Sequence, residues 1–257
     1  MVIETQRKVL LVLPAFNEAQ NLLQLLPAVE ALAVEAPELG LRVLLVDDGS
    51  TDGTSKVGQT PWRVPVEVLM HPRNQGLAAA FRTGLLEAMG QAKADDAIVV
   101  MDADNSHLPE QIPALLRALE AGADVAIASR YRRGAQVRGV PRHRRALSTG
   151  MSVLFRAIAA LPGVRDYSCG YRAYRAGLLQ DAWRTQGERL FAQEGFACMV
   201  AMLLRLQEQG ARFAEIPLDL RYDRKAGASK MKVGSTVART LVLLGRERLA
   251  RIRGSRP

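Results

Sequence analysis

Five short apolar runs, separated by stretches with helical spacing, constrain the fold of this chain more than any other feature. The runs cover residues 9–13, 43–46, 66–69, 98–101 and 125–128. Runs of four or five mostly apolar residues are typical of strands buried in a sheet. Since helical patterns fill the intervals, the order is βαβα, which predicts an α/β fold: a mostly parallel sheet with helices on both faces.

The helical stretches carry local signals of their own. Pro27 is predicted to kink or split the first helix, and Asn74 is a candidate N-cap for the second. From about residue 143 the pattern becomes helical, with helices also predicted at 196–206 and 235–252, and a strand at 213–218. The helix that is predicted from about residue 143 has an apolar stripe, which consists of Leu147, Met151, Leu154, Phe155 and Ile158.

Polar clusters follow all five apolar runs. They read PAFNE (14–18), DDGSTDG (47–53), HPRNQG (71–76), DADNSH (102–107) and SRYRRG (129–134). A single cluster of this kind could be an ordinary turn. Because ligands of open α/β sheets bind beyond the carboxyl ends of the strands, five clusters on one edge predict a ligand site there.

Asp102 and Asp104 stand two residues apart where the fourth run ends. Residues at this spacing in an extended segment point to the same side, so their carboxylates repel unless one is protonated or a cation lies between them. Oxygen ligands that are few and open to solvent suit Mg²⁺ or Mn²⁺ bridging phosphate oxygens. A capping pair in a turn is the alternative.

The positive charge is concentrated in two segments. Residues 125–165 contain nine arginines and no lysine, aspartate or glutamate, and residues 224–257 contain ten lysines or arginines and one acid. Each segment therefore has a charge of +9, and the rest of the chain has −9 within a total of +9. Such segregation indicates anionic partners: phosphate groups, an acidic membrane surface or nucleic acid.

Composition and motif spacing argue against a nucleic-acid partner, an oxidoreductase and a histidine metal site, and they predict the compartment of the chain. Aromatic residues make up only 5% of the chain and the ligand edge is acidic, which disfavours a nucleic-acid partner. No G-x-G-x-x-G follows the first run, which disfavours a Rossmann oxidoreductase. The three histidines lack metal-site spacing. Without a signal peptide or a run long enough to span a bilayer, and with only two cysteines, the chain is predicted to be cytoplasmic.

Taken together, the motifs resemble family 2 glycosyltransferases of the GT-A fold, in particular the dolichol-phosphate mannosyltransferase and polyprenyl-phosphate glycosyltransferase group. The resemblance rests on PAFNE, DDGSTDGT, RNQGLAAAFRTG, DADNSHLPE, SRY, DYSCGYRAYR and RKAGASK, in the family's order. It implies a GT-A catalytic domain over residues 1–230, followed by a basic amphipathic helix and tail over residues 231–257.

The resemblance also implies a reaction. It is an inverting transfer of a hexose, mannose or glucose, from a GDP or UDP sugar to a dolichyl or undecaprenyl phosphate. The implied metal ligands are Asp102 and Asp104, and Arg130 and Arg224 complete the implied catalytic set. Arg130, Arg144 and Ser148 are implied to hold the acceptor phosphate. The implied donor-site residues are Pro14, Phe16, Asn17, Glu18, Asp47, Asp48, Asn74, Gly76, Ala103 and Lys230.

The chain departs from the family pattern at three points. Ser106 stands where a metal-contacting Gln is common, and Ala201 stands where a helix usually carries Glu, for which Glu194 could substitute. The C-terminal membrane helices of many relatives are missing, which suggests peripheral attachment to the cytoplasmic face of an acidic membrane, or a separate membrane-protein partner. A glycan or other hydroxyl acceptor is the alternative, with Asp166 either the general base or a structural hydrogen-bonding group.

Overall fold

The computed structural model describes residues 8–193, 195 and 197–227. The strands are β1 (Val9–Ala15), β2 (Arg42–Asp47), β3 (Val66–Met70), β4 (Ala97–Val100), β5 (Val125–Ser129), β6 (Gln136–Arg138), β7 (Arg172–Arg175), β8 (Phe213–Pro217) and β9 (Asp219–Arg221). The helices are α1 (Ala19–Glu35), α2 (Thr54–Gly58), α3 (Leu77–Gln91), α4 (Ile112–Glu120), α5 (Arg142–Ala159), α6 (Ala176–Gln186) and α7 (Ala197–Glu208).

The main sheet has seven strands in the order β3-β2-β1-β4-β7-β5-β8, and all its pairings are parallel except those of β7. Helix α3 packs on β1 and β2, and α4 packs on β5, β7 and β8. The apolar residues of β1, β2, β4 and β5 are almost completely buried. The predicted mostly parallel sheet flanked by helices is therefore confirmed, as are the five predicted strands and the strand at 213–218.

Strand β7 was not predicted from the sequence. It lies antiparallel between β4 and β5, and two of its four residues are arginines, which hides it from a search for apolar runs. Arg172 is nevertheless completely buried, because its guanidinium donates hydrogen bonds of 2.8 Å to the carbonyl oxygens of Met199 and Tyr167. Those bonds compensate the burial of its charge.

Neither the predicted split of the first helix at Pro27 nor the predicted cap at Asn74 is present in the described residues. Helix α1 continues through Pro27 as one helix of 17 residues and is not split. Helix α3 is preceded by Gly76 at the N-cap position, so Asn74 does not cap it, and no side chain makes the cap hydrogen bond. The loop before α3 is instead held by a carboxylate from another loop, which is described below.

A second, two-stranded sheet pairs β6 with β9 in parallel, and His107 forms an isolated bridge with Leu220 beside it. These contacts bring the segment after β8 over the end of β4. The predicted basic helix at 235–252 and the tail 231–257 lie outside the described residues.

Candidate active site

The carboxyl ends of β1, β2, β3 and β4 meet at one edge of the sheet. In the pairing register Ala15 lies beside Asp47, and Asp47 lies beside Met70, while β4 pairs with β1 on its other side. The polar clusters after these strands therefore line one continuous edge, as their positions in the sequence predict. The site described next is built on this edge.

The PAFNE and DDGSTDG loops are interlocked by hydrogen bonds. The amide of Asn17 donates to the Ser50 hydroxyl at 2.8 Å, and the amide of Thr51 donates to the Asn17 side-chain oxygen at 2.8 Å. The amide of Glu18 donates to the Thr54 hydroxyl at 2.9 Å. Asn17 has a φ of 53°, a left-handed conformation that asparagine adopts more readily than most residues. The two motifs that contain the predicted donor-site residues are thus joined to each other at this edge of the sheet.

Asp48 holds the HPRNQG loop against the second strand. Its two carboxylate oxygens accept hydrogen bonds of 2.8 Å from the amides of Gln75 and Gly76, and the Nδ1 atom of His71 lies 2.7 Å away. Gly49, with a φ of 71°, allows the close approach, since a Cβ there would lie 2.3 Å from the carbonyl carbon of Arg73. Asp48 therefore supports the loop that carries Asn74 and Gly76.

The neighbouring Asp47 has a similar local role. It is almost fully buried, and its Oδ1 atom accepts a hydrogen bond of 2.9 Å from the amide of Ser50. This bond fixes the turn of the DDGSTDG motif directly after β2, and so shapes the surface that a donor nucleotide would meet.

Asp102 and Asp104 follow β4 and lie on either side of the buried Ala103. Asp104 accepts hydrogen bonds at Oδ1 from the amide and hydroxyl of Ser106, at 3.1 and 2.5 Å, and at Oδ2 from the ammonium of Lys225 at 2.5 Å. The side chain of Asp102 is 37% exposed, and its Oδ2 atom lies 4.0 Å from Nδ1 of His107. Asp102 thus presents the open carboxylate of the pair.

The two carboxylates differ in proton affinity. Partial burial raises the pKa of Asp102, the interaction with His107 opposes the rise, and the negative charges of Asp104 and Glu18 add to it. Burial acts in the same direction on Asp104, but its interactions with Lys225 and His107 outweigh it and lower its pKa. The pKa of Lys225 is raised, because the attraction of Asp104 outweighs the burial of the ammonium group.

The segment that carries Lys225 is held against α1 by hydrogen bonds between Ala226 and Asn21. The amide of Ala226 donates to Asn21 Oδ1 at 2.8 Å, and Asn21 Nδ2 donates to the Ala226 carbonyl oxygen at 3.3 Å and to Glu18 Oε2 at 2.5 Å. Lys225 and Asn21 were both missed in the sequence, although Lys225 lies inside the quoted RKAGASK motif. The predicted Arg224 is exposed, and Lys230 lies outside the described residues.

Arg130 is held by a buried carboxylate at the end of β5. Its Nε and Nη2 atoms donate to the two oxygens of Asp166 at 2.8 and 2.6 Å, and Nη2 also donates to the Ser168 hydroxyl at 2.7 Å. Burial alone would raise the pKa of Asp166, but the charge and hydrogen bonds of Arg130 lower it. Two parallel bonds of this kind fix the plane of the guanidinium.

Tyr131 connects Arg130 to helix α5. Its hydroxyl donates to the Ser148 carbonyl oxygen at 2.9 Å and lies 2.7 Å from the Ser148 hydroxyl, and its ring lies 5.5 Å from the guanidinium carbon of Arg130. Arg144 lies one turn before Ser148 on α5 and is exposed. The structure therefore links Arg130 to Ser148 through Tyr131, a residue that the sequence did not single out.

Asp166 has no free carboxylate oxygen for proton transfer. It is completely buried, and besides Arg130 it accepts hydrogen bonds from the amides of Ser168 and Cys169. Its own amide, at 2.7 Å, and that of Arg165, at 2.6 Å, donate to Oε1 of the buried Glu215 on β8. Of the two readings of Asp166, the structural one agrees with this geometry.

Two features are absent from the described residues. No group of three or more histidine, cysteine, aspartate or glutamate side chains in this part of the chain is placed to hold a metal ion. Among the same residues, no helix combines the length and apolar character needed to cross a bilayer. A metal held by Asp102 and Asp104 would therefore need a bound ligand or water in its remaining positions.

The model of the family described as Glycosyl transferase family 2 matches residues 10–183, which include β1, the acidic pair and the Arg130 cluster. The chain belongs to this family. The chain is therefore a glycosyltransferase, as the motif resemblance predicted.

Relatives of the family 2 chain align over nearly its whole length. The polyprenol monophosphomannose synthase of Mycolicibacterium smegmatis is 34% identical over 97% of this chain and 91% of its own. The undecaprenyl-phosphate mannosyltransferase of Micrococcus luteus is 33% identical over 88% of each chain. The dolichol-phosphate mannosyltransferase of Pyrococcus furiosus is 33% identical over 90% of this chain and 60% of its own length.

Solved structures of low sequence identity share the fold. A glucosyl-3-phosphoglycerate synthase from Mycobacterium tuberculosis superposes with a TM-score of 0.62 at 20% identity, covering 94% of this chain and 80% of that one. A mannosyltransferase from Pyrobaculum calidifontis in complex with GDP-Man and Mn²⁺ gives 0.61 at 16% identity, covering 95% of this chain and 65% of that one. The GT-A fold of the family 2 chain is therefore confirmed.

Proposed function

We propose that this family 2 glycosyltransferase transfers mannose, with inversion, from a GDP or UDP sugar to a polyprenyl phosphate. The observation that carries the acceptor class is the set of three relatives above, each named for a polyprenyl or dolichyl mannose product and each aligned over 88% or more of this chain. Glucose, the other hexose that the motifs implied, is less supported because no relative of that set carries it in its name.

The donor would lie along the edge formed by the first, second and fourth strands. The loops around Asn17 and Asp47 are held in place by hydrogen bonds and would give the nucleoside a preformed surface. The loop held by Asp48 would border that surface at Gly76. Asp102 and Asp104 fit a divalent cation, because their carboxylates emerge two residues apart and the side chain of Asp102 is open to solvent. Mg²⁺ or Mn²⁺ held there would neutralise charge on the departing diphosphate.

Lys225 lies next to Arg224 in the predicted donor-closing loop, which also contains Lys230. Its ammonium donates to Asp104 Oδ2 and so lies at the acidic pair, where the diphosphate of the donor would bind. A cationic side chain at that point stabilises negative charge that develops on the leaving group. We place Lys225 beside Arg224 in this role.

A phosphate acceptor agrees with the engagement of Asp166, the candidate general base, in other hydrogen bonds. A phosphate monoester is already anionic near neutral pH, with a second pKa of about 6, and can attack without losing a proton to the protein. Arg130, Arg144 and the Ser148 hydroxyl would position it, since the fork of Arg suits bidentate contact with phosphate. An alcohol acceptor would need a general base, and the carboxylate of Asp166 is engaged by hydrogen bonds from three residues, Arg130, Ser168 and Cys169.

Peripheral attachment to the cytoplasmic face of an acidic membrane completes the proposal. Helix α5 exposes Leu147 and Leu154, which are 51% and 39% accessible, beside Arg142 and Arg145. The predicted stripe of α5 is thus only partly buried, with Phe155 in the core. A helix with apolar and arginine side chains on its exposed surface suits the headgroup region of anionic lipid.

The reaction can be tested with purified protein, Mn²⁺ and radiolabelled GDP-mannose, UDP-mannose or UDP-glucose. Each donor would be offered with undecaprenyl phosphate, undecaprenol and a mannosyl oligosaccharide as acceptors. We expect label in the lipid fraction only with a mannose donor and the lipid phosphate. Transfer to the free alcohol or the oligosaccharide at an equal rate would contradict the proposal and restore the hydroxyl alternative.

A further inference from the structure

A pocket of about 660 Å³ lies behind the carboxyl-terminal half of α5. Its basic side is formed by Arg132, Arg156 and Arg165, and its apolar side includes Val153 and Leu161. None of the residues placed above in the donor site or the acceptor-phosphate cluster lines it. A volume in this range is typical of small-molecule sites, and the reaction proposed above assigns no ligand to it.

The loop that forms the floor of the pocket is fixed by specific contacts. The amide of Leu161 donates to the Tyr167 hydroxyl at 3.0 Å, and the Ser152 hydroxyl on α5 donates to the Arg165 carbonyl oxygen at 2.7 Å. Gly163, with a φ of 80°, passes so close to β8 that a Cβ would lie 2.6 Å from the Phe213 carbonyl oxygen. The pocket is therefore a built feature and not a gap between loose segments.

The three guanidinium groups of the pocket have no carboxylate partner in the part of the chain that the structure describes. The two acids near the floor are already engaged, since Asp166 binds Arg130 and Glu215 accepts the amides of residues 165 and 166. Residues 125–165 themselves contain no aspartate or glutamate. Cations that line one pocket without a counter-charge can recognise an anion, and arginine favours phosphate through its bidentate fork.

The apolar side of the pocket restricts the kind of anion. Val153 both lines the pocket and is 58% exposed, on the same helix as the exposed Leu147 and Leu154. The pocket thus opens onto a surface that carries apolar side chains. A hydrophilic phosphate would leave this wall in contact with water, whereas a phosphate ester with hydrocarbon chains would cover it.

We propose that Arg132, Arg156 and Arg165 bind the phosphate of an anionic membrane phospholipid, at a site separate from the acceptor phosphate. The inference deepens the proposed membrane attachment and rests on it, but it does not require any particular sugar or acceptor. A bound phospholipid would hold α5 at the bilayer with its Arg144 end near the headgroups, where a lipid-phosphate acceptor enters.

The test is calorimetric titration of the full-length protein with dioctanoyl phosphatidylglycerol below its critical micelle concentration. Dioctanoyl phosphatidylcholine and inorganic phosphate serve as the neutral-lipid and free-anion probes. The pocket variant R132Q/R156Q is compared with R133Q/R145Q, which removes the same charge from exposed arginines of the same segment outside the pocket. We expect the pocket variant to weaken phosphatidylglycerol binding about tenfold or more, with the control within about twofold of wild type.

A second variant, Ala157→Trp, fills the pocket without changing charge and should weaken the same binding. Equal losses in the two arginine variants would mean diffuse attraction and overturn the site. Inorganic phosphate or phosphatidylcholine binding as tightly as phosphatidylglycerol would overturn its assignment to an anionic lipid, as would undiminished binding by Ala157→Trp or no binding by wild type.

The acceptor kinetics separate this inference from the proposed function. The pocket variants should keep the wild-type KM for a short-chain polyprenyl phosphate in detergent, because Arg130, Arg144 and Ser148 are unchanged. A raised KM would assign the pocket to the acceptor itself and overturn the separate site. If no acceptor is glycosylated, the proposed function fails while the calorimetric result still decides the lipid site.

Discussion

Asp102 and Asp104 share a spacing but differ in their surroundings, and this difference bears on how a cation would bind. Asp104 is tied to Ser106 and Lys225, whereas the carboxylate of Asp102 is more than a third exposed. Ser106, which replaces the residue common in the family, is a hydrogen-bond donor to Asp104. The hydrogen bonds from Ser106 and Lys225 therefore fix the Asp104 carboxylate before any metal binds.

The first prediction is that Asp102→Ala and Asp104→Ala each lower kcat at least about 100-fold, because the diphosphate loses its cation. EDTA should abolish wild-type turnover, and Mn²⁺ or Mg²⁺ should restore it. Asp181→Ala on the exposed surface of α6 is the matched control and should retain activity. Circular dichroism checks the fold of each variant, and full turnover in EDTA would show that the pair has no metal role.

The second prediction concerns Arg144, which lies one turn from Ser148 and is exposed in the described structure. Arg144→Ala should raise the KM for lipid phosphate about tenfold or more without changing nucleotide-sugar binding, and Arg144→Lys should still be impaired because it loses the bidentate fork. Arg145→Ala, on the next residue of α5, is the control. Weaker nucleotide binding with normal acceptor kinetics would instead assign Arg144 to the donor site.

The third prediction is that Asp166→Asn destabilises the protein by about 3 kcal/mol in urea unfolding, since it leaves the guanidinium of Arg130 without its buried partner. Asp181→Asn, which breaks an exposed pair with Arg184, should cost less than about 1 kcal/mol. Equal small effects in the two variants would remove Asp166 from its supporting role.

The same residue gives a pH dependence. Its pKa in the folded protein lies below its ordinary value of about 3.9, so its contribution to stability is present above pH 4. That contribution is lost as the pH falls through the lower folded-state pKa. Wild type should therefore lose stability more steeply than Asp166→Asn in the acid range below about pH 4, and parallel curves would contradict this.

At the scale of elements, α5 carries both the acceptor-phosphate candidates and an exposed apolar surface. Its amino-terminal half carries the acceptor-phosphate candidates, and its exposed apolar residues lie among the arginines of residues 125–165. The basic helix predicted at 235–252 would add charge from a second segment, and it remains a prediction.

The fourth prediction is that the full-length protein co-sediments with liposomes containing anionic lipid and is released by high salt. Polybasic segments gain about 1 kcal/mol per charge near anionic lipid, and salt screens this attraction. Leu147→Ser/Leu154→Ser and R246Q/R248Q/R251Q test α5 and the predicted helix separately, each expected to weaken binding. Equal binding to neutral vesicles, or no loss in either variant, would exclude both elements as anchors.

At the scale of the whole molecule, the sequence determined the strand order along the chain and the edge that carries the ligand site. Apolar runs must be buried, and in a parallel sheet burial brings the polar residues after each run to one edge. The motifs at these strand ends could therefore be predicted together with the Asp102 and Asp104 pair. Strand β7 escaped this argument because hydrogen bonds, not apolar character, allow Arg172 to be buried.

Only the tertiary structure decided which side chains meet. Lys225 lies 121 positions from Asp104 in the sequence, and Asp166 lies 36 from Arg130, yet both form ion pairs. Such pairs carry no local pattern, since neither periodicity nor turn chemistry relates residues from distant elements. The same holds for the pocket of Arg132, Arg156 and Arg165: their charges are evident in the sequence, but their place in one pocket depends on how the loop after α5 folds back against β8.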